Sequence, residues 1–144
     1  VEKMNGTDLT ALIDTMDDDR VELLLQLFAD VDLTISTAPR TGLMMLAVHD
    51  SFATAFYPGE ILVTEARVVF HGCEGFGMVL GEAPRRALAR AATDAVFRHP
   101  ETTDIQESVR VCLLEEAALQ KTKQLENGAL VAATKVNFDL MPGA

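Results

Sequence analysis

Three side chains able to bind a transition metal, His49, His71 and Cys73, are close enough in sequence to converge on one ion. A closed site needs four ligands, usually in pairs on two elements, and no second pair of that kind stands at ligand spacing. A strand-end His and a turn Cys are the plainer reading, so no metal and no cofactor is expected. Glu60 and Glu65 are five apart, which in a strand puts them on opposite faces and rules out an acid/base carboxylate pair. Ser51 lies near His49 but has no third group to orient the imidazole. Gly75, Gly77 and Gly81 spell G-x-G-x-x-x-G, one residue too long for a dinucleotide fingerprint and set inside a strand pattern. The best anion site is the helix start GEAPRRA, where free backbone N–H groups lie beside Arg85 and Arg86. Glu82 in the same turn would repel an anion, so a solvated helix start is preferred there.

Those residues must be held by elements that the periodicity predicts. TDLTALIDTM (7–16) reads as a short helix capped by Thr7, and DDDRVELLLQLFAD (17–30) as a second, its aspartates at the end where the helix dipole favours negative charge. VDLTIS (31–36) alternates as a half-exposed strand. After a Pro39–Gly42 turn signal, GLMMLAV (42–48) is apolar on both faces and is predicted to be a central strand. In EILVTEARVVF (60–70), Leu62, Thr64, Ala66, Val68 and Phe70 share the face expected to meet a covering helix. In GFGMVLG (75–81), Phe76, Met78 and Leu80 are assigned to that same core face, leaving Gly75, Gly77 and Gly81 on the other. APRRALARAATDAVFRH (83–99) is an alanine-rich helix with Pro84 near its first position, suited to close packing on a sheet. A long helix covers most of 103–135, with Asn127 and Gly128 as its expected stop, and KVNFDLM (135–141) alternates as a last strand returning to the sheet. The order predicts one α+β domain over residues 1–144: a mainly antiparallel sheet of about five strands with helices on one face.

Composition narrows the function classes. Twelve Lys and Arg against 22 Asp and Glu give a net charge of −10, with no basic stripe, which argues against nucleic acid or an anionic membrane as partner. No apolar run approaches the ~20 residues of a membrane span, and two cysteines do not make a disulfide framework, so a cytoplasmic protein is expected. The smooth strip of Gly75, Gly77 and Gly81, with Glu65 and Arg67 on the same expected face, is predicted to meet a partner chain. A bulge or bend is the alternative use of those glycines.

The ordered segments RTGLMML, PGEILVTEARV, GFGMVLGE and TKVNFDLMPGA resemble the PhnG family, the G subunit of the bacterial carbon–phosphorus lyase system. The matching positions are Gly59, Glu60, Val63 and Thr64, the Gly75–Gly81 strand, and Lys135, Val136, Asn137 and Phe138. The resemblance implies a subunit of the complex in which an alkylphosphonate displaces adenine from the ribose of ATP, with the I subunit as chief companion. A homo- or hetero-oligomer without a complete active site of its own is therefore expected. The rival readings are an autonomous ligand-binding homodimer and a small metal-dependent enzyme using His49, His71 and Cys73.

Overall fold

The structure, a computed structural model, describes residues 4–134. Helix α1 (Gly6–Ala11) runs into a 3₁₀ turn (Leu12–Thr15), followed by α2 (Asp18–Gln26). Three strands come next, β1 (Leu33–His49), β2 (Ala55–Phe70) and β3 (Cys73–Leu80), then α3 (Pro84–Arg98) and α4 (Asp104–Ala133). The cap of α1 is Asn5 rather than Thr7: the Asn5 side chain accepts from the Asp8 N–H at 2.9 Å, and Asp8 reaches back to the Asn5 N–H. Gly128 does not stop α4, which continues to Ala133.

The described sheet is antiparallel with order β1-β2-β3, so three strands replace the expected five. Segments 31–36 and 42–48 belong to one 17-residue strand, because Pro39 falls in a register irregularity between Thr37 and Arg40 instead of a turn. A bulge on an edge strand accommodates the missing proline N–H. GLMMLAV therefore lies on the edge of the sheet formed by the described residues, and β2 is central in it. The last expected strand, 135–141, lies outside the described residues.

Helix α3 lies across β2 and β3. Thr64, Ala66, Val68 and Phe70 of β2 are buried, as the alternation predicts, whereas Leu62 sits beyond the helix and is exposed. The expected facing of β3 is reversed. Pairing of Ala66 with Gly77 and Val68 with Gly75 turns the glycines toward α3, and Phe76, Met78 and Leu80 face away. A Cβ on Gly77 would stand 2.7 Å from the Ala91 amide nitrogen, and one on Gly75 would stand 2.7 Å from the Ala95 Cα. Because α3 meets the sheet through Ala87, Ala91 and Ala95, all fully buried, helix and strand backbones approach too closely for any side chain between them. The glycines thus serve contact within the chain, not the partner face expected from their flatness. Gly81 differs: it sits at φ +79°, where an L side chain is strained, and ends β3.

The remaining core is made by Leu9, Ile13, Met16, Val21, Leu24 and Phe28 from the amino-terminal helices, with Val109 and Leu113 from the first half of α4. Arg20 pairs with the buried Glu116 at 3.1 Å and ties α2 to α4. Four further ion pairs join the first thirty residues to the later helices: Arg85–Glu22, Arg86–Asp18, Arg90–Asp14 and Lys123–Asp17.

Candidate functional site

Helix directions place two long projections at the same end of the molecule. Gly75 lies under Ala91 and Ala95 and Gly77 under Ala87 and Ala91, so α3 runs antiparallel to β3. Gln106, near the start of α4, donates to the Val96 carbonyl late in α3, while Lys123 meets Asp17, next to the Asp18 that pairs with Arg86 early in α3. Helix α4 therefore runs back toward the end where β3 stops, and residues 124–133 extend about 15 Å beyond it at 1.5 Å per residue. The last pair between β2 and β3 is Val63 with Leu80, so Ala55–Leu62 of β2, with the facing part of β1, extend in the same direction by about 26 Å.

The strand projection is a two-stranded arm whose residues from Thr41 to Glu60 are all exposed except the half-buried Val48. It presents Leu43, Met44, Met45, Leu46, Phe56 and Tyr57, with Phe52 at the tip 87% exposed. No charged side chain occurs from Thr41 to Val48. A two-stranded ribbon is at best marginally stable in water, and apolar patches of this extent mark interaction surfaces. The second projection exposes Leu125, Leu130 and Val131. At its base, between arm and helices, lies a cleft of about 630 Å³ lined by Met44, Val63, Met78, Val79 and Leu80 on the sheet side and by Asp14, Thr15, Arg86 and Arg90 on the helix side.

The expected site residues are distributed around this end and along the sheet. Gly59 and Glu60 belong to the exposed arm, and Val63 is buried at the cleft. Thr64 is structural: its hydroxyl donates to the Gly81 carbonyl at 2.6 Å and accepts from the Ala83 N–H at 3.1 Å, fixing the turn into α3. Glu65 pairs with Arg40 at 2.6 Å. Arg67 pairs with Glu74 at 2.8 Å and stacks 5.0 Å from the Phe76 ring centroid, all on the sheet face turned away from α3. That face retains Glu65 and Arg67 as interface candidates without the glycines.

Arg85 and Arg86 do not converge on a shared anion position. Arg85 grips Glu22 with two hydrogen bonds, and this holds the Glu22 carboxyl below its ordinary range. Arg86 donates to the Ile13 and Met16 carbonyls and to Asp18, closing the carboxyl end of the 3₁₀ turn. Lys135, Asn137 and Phe138 lie outside the described residues. His49 pairs with Ala55 at one end of β2 and His71 follows Phe70 at the other, so the trio His49, His71 and Cys73 is not assembled. His71 instead stacks with Phe70 and His99, at 4.3 and 5.7 Å between centroids. Among the described residues no three His, Cys, Asp or Glu side chains are grouped to hold a metal. Burial pushes the Cys112 thiol up, away from a reactive thiolate.

The arm and the Asp14–Arg90 wall escaped the sequence reading. The uncharged run after Thr41 was visible, but apolarity on both faces fits a central strand as well as a strand awaiting cover. No helix among the described residues is long and apolar enough to cross a membrane. No curated protein matches the chain. A family model described as phosphonate metabolism protein PhnG matches residues 7–143. With nearly the whole chain covered, the protein belongs to the PhnG family of phosphonate metabolism proteins.

Proposed function

We propose that this chain is a non-autonomous subunit of the carbon–phosphorus lyase core complex. It supports transfer of an alkylphosphonate onto ribose C1 of ATP with release of adenine, and the I subunit is its principal companion. Family membership supports the metabolic setting. The observation that carries the subunit role is the apolar arm formed by β1 and β2, left uncovered by every described element. Obligate assemblies bury surfaces of this kind, which resemble a core cut in two. Displacing adenine requires groups that stabilise an oxocarbenium-like centre and protonate a departing base. Among the described residues, seven of the eight arginines, the side chains best suited to meet a triphosphate or a phosphonate, are already engaged in ion pairs.

Adenine release from ATP, followed by chromatography with and without alkylphosphonate, tests the proposal. The purified chain is expected to be inert, and adding it to the remaining subunits should raise turnover from background. Adenine release by the chain alone at enzymic rates, ~1 to 10³ per second, would overturn the reading.

A further inference from the structure

We propose that the cleft at the base of the two projections binds a small organic anion, its apolar body against the sheet and its oxyanion head at Arg90. The volume of about 630 Å³ is in the range of small-molecule sites. The residues that the sheet contributes to the cleft lining, Met44, Val63, Met78, Val79 and Leu80, are apolar, and those contributed by the helical segments are Asp14, Thr15, Arg86 and Arg90. Two guanidinium groups against one carboxylate give those lining residues a formal charge of +1, on a chain whose formal net charge is −10. Asp18, the partner of Arg86, is not part of the cleft lining and is 96% exposed.

The two arginines have different duties. Arg86 spends its Nη1 and Nη2 donors on Ile13, Met16 and Asp18 and is held as part of the fold. Arg90 meets Asp14 through Nη1 alone. Its Nε–H and Nη2–H₂ find no acceptor among the described residues, and they form the edge of a guanidinium fork that suits a carboxylate or a phosphoryl group. Asp14 is thus the internal competitor for the arginine that receives the ligand. The inference goes beyond the subunit reading and is tested on the isolated full chain, so either can fail without the other.

Nuclear magnetic resonance titrations of the full-length chain with hexanoate, hexylphosphonate, hexanol and inorganic phosphate provide the test. Saturable shifts at Val63, Val79 and Arg90 are expected with hexanoate or hexylphosphonate, and either alone supports the site while identifying its headgroup. Hexanol and inorganic phosphate, each lacking half of the ligand, should bind at least tenfold more weakly. Arg90→Gln and Asp14→Asn both break the same ion pair, and melts should show similar losses of stability. Their effects on anion affinity should be opposite, Arg90→Gln weakening it at least tenfold and Asp14→Asn strengthening it. No saturable shift in the cleft, equal binding of inorganic phosphate, or changes of the same sign in the two variants would overturn the proposal.

Discussion

Replacing Gly77 by Ala adds one methyl group at a close helix–sheet contact. Ordinary van der Waals contact begins near 3.4 Å, yet the added Cβ would stand 2.7 Å from the Ala91 nitrogen and closer still to the Ala87 carbonyl oxygen. Both neighbours are backbone, so no side chain can rotate aside and α3 itself must retreat by roughly 0.7 Å or more. A gap of 0.5–1 Å forfeits about a quarter to a half of each dispersion contact, and the buried row from Ala87 to Val96 would feel it. Overpacked sites of this kind cost about 1–3 kcal/mol, and a backbone clash belongs near the upper end, about 3 kcal/mol. For a chain of this size that is a fall of about 6–12 °C in Tm. Urea and thermal melts of Gly77→Ala measure it, with Gly42→Ala as control, since a Cβ at Gly42 meets nothing within 4 Å. The control should stay within about 0.5 kcal/mol of the parent. A Gly77→Ala chain as stable as the Gly42→Ala chain would refute the close-approach reasoning.

Phe70→Ala should cost about 3–5 kcal/mol, because Phe70 is only 2% exposed, whereas Arg67→Ala on the outer face should cost under about 1 kcal/mol in the same melts. Glu116→Gln removes the charge from a carboxylate only 4% exposed and leaves Arg20 poorly matched; allowing for the partial exposure of Arg20, a loss of about 1–3 kcal/mol is expected in urea unfolding. The Glu22 and Asp17 carboxyls are held below their ordinary values by hydrogen bonds from Arg85 and Lys123. Their stabilising contribution is therefore fully present above the unfolded-state values near pH 4–4.5 and is lost as pH falls through the lower folded values. Melts between pH 5 and 3 should show a shallower decline for the Glu22→Gln, Asp17→Asn double variant than for the parent chain.

Periodicity located the helices and the inner face of β2 because Thr64, Ala66, Val68 and Phe70 alternate cleanly, and α3 was legible from Pro84 and its alanine spacing. Beta-strand β3 failed for a physical reason: large apolar side chains were assigned inward, whereas alanine-mediated contact of α3 leaves space only for Gly75 and Gly77. Their closeness to α3 depends on β2–β3 register, which one strand read alone does not contain. Pro39 misled by its usual meaning, since a bulge absorbs it and two expected strands become one. Of the candidate site, Arg85 and Arg86 were visible as charges at a helix start, but their acidic partners lie more than sixty residues away. Asp14 and Arg90, separated by 76 positions, gave no local signal at all.

The central claim is that the uncovered arm is a subunit interface, and affinity purification of the tagged chain from its native host tests it most directly. The parent chain should emerge with stoichiometric carbon–phosphorus lyase subunits. A Met45→Glu, Phe56→Glu variant, altered at arm positions 58% and 46% exposed, should melt within about 1 kcal/mol of the parent yet emerge without them. A parent chain that emerges alone, or an arm variant that still assembles at full stoichiometry, would contradict it.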